Sequence, residues 1–240
     1  MFGQRISVPR RSRDEGEKPF WISFADLMTA LMVLFLLVMS VALLAVTRTI
    51  TEQEQLDNQR QQAIERLLGR IQKAAERQPG VRVDRNRAVI DFGDRARFDT
   101  SSHTLSPDQE RLLRAFVPEV LAIARDAAGR RWLKRIVVEG FTDRRGSYLY
   151  NLNLSLERSQ RVLCALMTAP GAGERVMTRS ELEEIRRLFL VGGYSSNSAK
   201  ESLDASRRIE LRLEFFGVEE PTAAAAAAAA YDGGFGVCAL

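Results

Sequence analysis

The chain has 240 residues, 45% of them hydrophobic and 28% charged, a composition that excludes wholesale disorder. One histidine, His103, and two cysteines, Cys164 and Cys238, exclude a His-rich metal cage, a Cys-rich zinc site and a disulfide scaffold. The net charge of +4 comes from 35 basic and 31 acidic side chains with no basic stripe interleaved with aromatics, so direct nucleic-acid binding is not expected.

The first 20 residues hold Arg5, Arg10, Arg11, Arg13 and Lys18 against three acids. They precede Trp21–Thr47, an apolar run without Pro or Gly in which Asp26 is the only charge. A hydrocarbon core about 30 Å thick needs roughly 20 apolar residues in a helix. The apolar region of a cleaved signal peptide is about 7–15 residues, so this longer run reads as an uncleaved transmembrane anchor. Past the run come Arg48, Glu52, Glu54 and Asp57. The excess of positive charge before the span predicts a cytoplasmic N-terminus and an exported C-terminal bulk. Phe20 and Trp21 fall where an interfacial aromatic belt belongs.

An aspartate inside a span costs about 2.5–3.5 kcal/mol at the centre and less near an end, where Asp26 lies. Desolvation raises a carboxyl pKa, so such a group can load and release a proton near neutral pH. The alternative is a structural acid at the interface. Ser23 and Thr29, at i−3 and i+3, share its helix face and are candidates to support it. A lone acid in lipid calls for other membrane helices around it.

From Thr47 to Gln78 the sequence is polar, with Ile50, Ile64 and Ile71 in a heptad row broken at Asp57, and Leu67 and Ala74 in a second row. This predicts a helix leaving the membrane, either a short dimeric coiled coil or a solvent-exposed single helix, ending at Pro79-Gly80.

Beyond it, residues 81–84 and 88–92 flank Arg85-Asn86 as a predicted hairpin. A helix is predicted from Ser106, as N-cap before Pro107, to Ala128, with Gly129 as its stop. Residues 135–140 read as a strand, 152–168 as a helix, and 187–191 and 207–216 as strands. The last alternates Ile209, Leu211, Leu213 and Phe215 toward one face. Between them, Thr178 to Ile185 carries an N-cap signature for a short helix within an insertion spanning 169–186. The order predicts an α+β domain with helices on one mixed sheet. The alanine run 223–230 is too short to hold a helix alone. Cys238 is expected to be free or in an intermolecular disulfide.

Two stretches resemble known families. Trp21-Ile-Ser-Phe-Ala-Asp26-Leu-Met-Thr-Ala-Leu-Met is similar to the start of MotB-type stator proteins, in which the aspartate carries protons that power a rotary motor. The preceding Glu17-Lys-Pro-Phe and the compact size look more like the Zorya anti-phage members than like flagellar stators. From about Phe98 to Phe216 the chain resembles the OmpA-like peptidoglycan-binding domain. Phe98-Asp99, Leu105-Ser-Pro107, Gly140-Phe-Thr-Asp143, Tyr150-Asn151, Leu154-Ser155, Arg158, Gly192-Gly-Tyr194 and Ser206-Arg-Arg-Ile-Glu210 follow that family's motifs in order. Phe141 stands where the family has His, and Ser206 where it has Asn.

The resemblance implies this organisation: a cytoplasmic basic tail 1–20, a transmembrane helix 21–47, a helical linker 48–80, the OmpA-like domain 81–217, and an alanine-rich tail 218–240. It implies that Asp143 and Arg158 grip the diaminopimelate of a peptidoglycan stem peptide, with Tyr150, Asn151 and Leu154 lining the groove. An acid and an arginine fork suit a ligand end that presents an ammonium and a carboxylate. The alternative at that place is an internal Asp143–Arg158 ion pair. A MotA-like multi-span membrane partner is implied, in several copies around a dimer of this chain. The expected function is a cell-wall-anchored subunit of a proton-driven inner-membrane motor of the Zorya type, with a flagellar stator subunit or a passive wall tether as alternatives. No catalytic residue, metal or cofactor is expected.

Overall fold

The computed structural model describes residues 18–171, 174–218, 220 and 234–238, with residues 18–20 given by their backbone alone. The expected basic tail up to Glu17, the Phe20 ring and the alanine run lie outside the described residues. The chain divides into two compact units, Met1–Leu56 and Asp57–Leu240.

In the first unit the described residues form one helix, α1, whose full extent is Lys18–Ala75. It is long and apolar enough to cross a membrane. Its small polar side chains bond back to its own carbonyls, as when Ser40 donates to Leu36 O at 2.7 Å and Thr47 to Leu43 O at 2.8 Å. Hydroxyls satisfied this way are tolerated in an apolar environment.

The second unit begins inside α1. Ala63, Leu67, Leu68, Ile71, Ala74 and Ala75 are buried in the core of this unit. The predicted heptad row therefore splits. Ile50 is exposed in the first unit, and Ile71 is 2% exposed in the second. From Ala63 to Ala75 the seam packs on the chain's own domain, because an apolar stripe on the last turns gains most by covering the adjoining core.

The domain is an α+β sandwich, as predicted. β1 (Arg82–Asp84) and β2 (Val89–Asp91) form the hairpin, followed by a 3-10 turn at Gly93–Ala96. Then come α2 (Pro107–Ala124), α3 (Ala127–Trp132), β3 (Leu133–Gly140), α4 (Tyr148–Met167), α5 (Arg179–Leu188), β4 (Phe189–Gly193), α6 (Leu203–Ser206) and β5 (Ile209–Phe215). The sheet order is β1-β2-β5-β3-β4, with β3 and β4 parallel and the other pairs antiparallel. On β5, Ile209, Leu211 and Leu213 are buried in the core. The intervening Glu210, Arg212 and Glu214 are ion-paired: Arg212 to Glu139 at 2.5 Å, Arg208 to Glu210 at 2.6 Å, Arg135 to Glu214 at 2.5 Å. Glu139 faces Glu210 directly across β3 and β5, and each of these like charges is paired with its own arginine.

The structure moves several predicted boundaries and pairs a cysteine. The helix from Ser106 keeps its predicted capping Ser and Pro but ends at Ala124, because the Asp126 side chain accepts from Gly129 N at 2.6 Å and starts α3. Gly129 is thus inside a helix rather than a stop, and a Cβ there would lie 2.4 Å from Ile123 O. The next helix starts at Tyr148, capped by Ser147, four residues earlier than expected. The strand expected from Arg187 starts at Phe189, because α5, capped by Thr178 and Glu181, continues until Leu188 is buried. Cys238 is neither free nor intermolecular, since it is bonded to Cys164 of α4.

Candidate functional site

The membrane helix carries the first predicted site. Asp26 is exposed in its own unit, and no ion pair among the described residues reaches it. Thr29, expected to support its carboxylate, donates instead to the backbone O of Asp26 at 2.8 Å. Ser23 lies on the same helix one turn before.

The second site is built where α4 crosses the ends of β3 and β4. Two glycines permit the approach. A Cβ on Gly140 would sit 1.9 Å from Ser155 O, and one on Gly193 would sit 2.8 Å from the Ser155 hydroxyl. No other residue fits at these strand ends without moving α4. The helix is thereby placed so that Arg158 reaches back under the loop after β3.

All five predicted residues, Asp143, Tyr150, Asn151, Leu154 and Arg158, line one small pocket, joined by Thr100, Ser101, Thr142, Arg145 and Arg207. Arg158 is fully buried. Its Nε donates to Ser102 O at 2.9 Å, Nη1 to Phe141 O at 2.7 Å and Nη2 to Asp99 O at 3.1 Å. Its guanidinium lies 4.9 Å from the centre of the Phe98 ring. Burial lowers its pKa to about 10, with the nearby charge of Arg207 acting in the same direction. It remains a cation at neutral pH, and it also ties three stretches of backbone together.

Asp143 is 4% exposed. One carboxylate oxygen accepts from Arg145 N at 3.0 Å, closing the turn after β3. The other pairs with Arg207 at 3.1 Å, so its ion-pair partner is Arg207 rather than Arg158. Arg207 also donates to Phe98 O at 2.9 Å and pairs with Asp204. Asn151 donates to Arg145 O at 2.9 Å and holds the same turn, while Tyr150 stays half-exposed at the mouth.

Two features of the pocket escaped the sequence reading. The Thr142 hydroxyl is buried and has no hydrogen-bond partner among the described residues. Ser101 has a positive φ of 55°, a strained conformation at the pocket wall. Thr142 stood next to Asp143 in a quoted motif, which was the available signal, whereas nothing in the sequence marks Ser101. The two departures from the family pattern sit outside the pocket lining. Phe141 stacks on Tyr194 with ring centroids 5.4 Å apart and lies under Arg208. Ser206 accepts from Lys200 N at 2.9 Å and donates to Ser202 O at 2.8 Å. Asp143, the guanidiniums of Arg158 and Arg207 and the Thr142 hydroxyl around one opening suit a ligand carrying both an ammonium and a carboxylate.

The comparisons with known proteins agree with this division. The sequence pattern of the OmpA family matches residues 97–187, and that described as membrane MotB of the proton-channel complex MotA/MotB matches residues 7–49. The chain is therefore a MotB-type membrane segment followed by an OmpA-like domain. It belongs to the family of the Zorya protein ZorB: it is 46% identical to that protein of Escherichia coli O139:H28 (strain E24377A / ETEC) over 221 residues, which cover 92% of this chain and 90% of the relative. Among solved structures it matches a putative MotB-like protein from Desulfovibrio vulgaris, with 23% identity, a TM-score of 0.40, and coverage of 68% of this chain and 99% of the other. It also matches the peptidoglycan-associated lipoprotein from Burkholderia pseudomallei, with 19% identity, a TM-score of 0.31, and coverage of 50% and 88%.

Proposed function

We propose that this chain is the wall-anchored subunit of a proton-driven, MotA/MotB-like inner-membrane motor serving Zorya anti-phage defence. In this reading the chain spans the inner membrane once, with its N-terminus cytoplasmic and its domain periplasmic. Asp26 loads and releases protons as they cross, supported by Ser23 and Thr29. A MotA-like, ZorA-type multi-span partner surrounds a dimer of this chain and lines the rest of the path, because one helix cannot line one alone. Each proton falling through 100 mV delivers about 2.3 kcal/mol, so a few per step are enough to drive a rotation.

The domain fixes the assembly. Asp143 takes the ammonium and Arg158 the carboxylate of the diaminopimelate end of a stem peptide, with Tyr150, Asn151 and Leu154 around them and Arg207 setting the orientation of Asp143. The observation that carries the reading is the pairing of a lone exposed acid at Asp26, in a segment matching MotB, with ZorB-family identity along almost the whole chain.

The test is phage plating on cells carrying wild type, Asp26→Asn or Arg158→Ala, with membrane levels of each protein measured. Both variants are expected to lose protection, and reconstituted Asp26→Asn complexes are expected to pass no proton current. Full protection by both variants would overturn the motor, and protection by Asp26→Asn alone would reduce the chain to a tether.

A further inference from the structure

The Cys164–Cys238 bond lies outside both sites. Cys164 sits on α4, six residues after Arg158, where its side chain is partly exposed, and its Cα is 5.7 Å from that of Cys238, within the range a disulfide spans. A second contact seats the same C-terminal stretch: the Arg186 guanidinium of α5 lies 5.6 Å from the centre of the Phe235 ring. Two contacts of different chemistry, three residues apart, thus bring residues 234–238 back onto the helical layer. The bond closes a loop spanning 74 positions that contains α5, β4, α6 and β5.

We propose that Cys164 and Cys238 form a covalent clasp, made after export, that closes this loop and fixes the C-terminal end of α4, the helix carrying Arg158. The clasp rests on the periplasmic placement of the domain but not on peptidoglycan binding. Its chemistry is a thiol–disulfide exchange. The disulfide of a thiol oxidoreductase of the exported compartment is attacked by one cysteine thiolate, giving a mixed disulfide. The second thiolate displaces the oxidoreductase, so the two thiols lose two protons and two electrons and the oxidoreductase leaves as its dithiol. In a reducing cytoplasm the same pair stays as thiols.

The full chain, produced with its membrane partner, is to be treated with a membrane-impermeant maleimide mass tag in cells whose outer membrane has been opened. The expected result is no tag and a monomeric band on a non-reducing gel before reduction, and two tags per chain after it. Reductant is expected to lower the melting temperature of the domain by roughly 5–15 °C. The double variant Cys164→Ser/Cys238→Ser is expected to melt at the lower temperature with or without reductant. Tagging of both cysteines without reductant, or a reductant-sensitive dimer, overturns the clasp. If the reduced thiols react only once the inner membrane is opened, the clasp falls because the periplasmic placement has failed.

Discussion

Asp26 and Asp143 are the acids of the two candidate sites, yet their units treat them differently. Asp143 is 4% exposed and has both oxygens engaged, by Arg145 N and by Arg207. Asp26 is exposed on a predominantly apolar stretch of helix, and no ion pair among the described residues reaches it. The same contrast runs through each unit. The domain closes its charges internally, from Arg212–Glu139 on the sheet to Arg114–Glu174 beside α4. A unit that satisfies its own charges is complete as a fold. In the proposed assembly, a helix carrying an exposed acid is completed by other chains, and the free energy of pairing that acid is available for assembly.

This contrast can be broken at the domain first. Gly140→Ala forces a methyl into Ser155 O and is expected to cost at least about 3 kcal/mol, enough to lower the melting temperature sharply and strip the chain from the wall. A fully stable, wall-bound Gly140→Ala protein would mean that α4 does not approach the strands this closely. Next in size is the split heptad row. Ile71→Ala is expected to destabilise the domain by about 2–4 kcal/mol, and Ile50→Ala to leave its unfolding unchanged, as read by denaturant titration. Equal effects would return the whole row to a single coiled-coil seam.

A smaller effect is expected at Thr142. Replacing an unpaired buried hydroxyl with a methyl removes an unsatisfied group, so Thr142→Val is expected to leave stability unchanged or slightly raised. Its wall binding should weaken by roughly tenfold in a pull-down if the ligand supplies the missing partner. The finest test is pH. If Arg158 takes the ligand carboxylate as proposed, it does so only while protonated, so retention on peptidoglycan should be flat through neutral pH and fall as pH rises past about 10. Its folded pKa lies below the unfolded value, so loss of that proton relieves the burial of a charge. On this group's account, melting temperature should not fall along with retention in that window.

Much of the site was legible because its residues are carried by short motifs. Gly140 to Asp143 and Tyr150 to Arg158 are each read within a few positions, and all five predicted residues do line one pocket. The partnership inside it was not legible. Asp143 meets Arg207 across 64 positions and Arg158 meets Asp99 across 59, and no local period encodes such a meeting. Thr142 shows the same limit, since its identity was visible but its burial without a partner among the described residues emerges only in the assembled pocket.

Local chemistry in the sequence determined the apolar span with its one acid, the alternating last strand, and the Ser106 and Thr178 caps, because each depends on neighbours two to four residues away. Only the tertiary structure decided that the last turns of α1 belong to the domain core, that Arg207 rather than Arg158 holds Asp143, and that Cys238 returns to Cys164. These choices are made between surfaces distant in sequence, where burial and charge pairing select one partner among many, and that selection requires the chain to be folded.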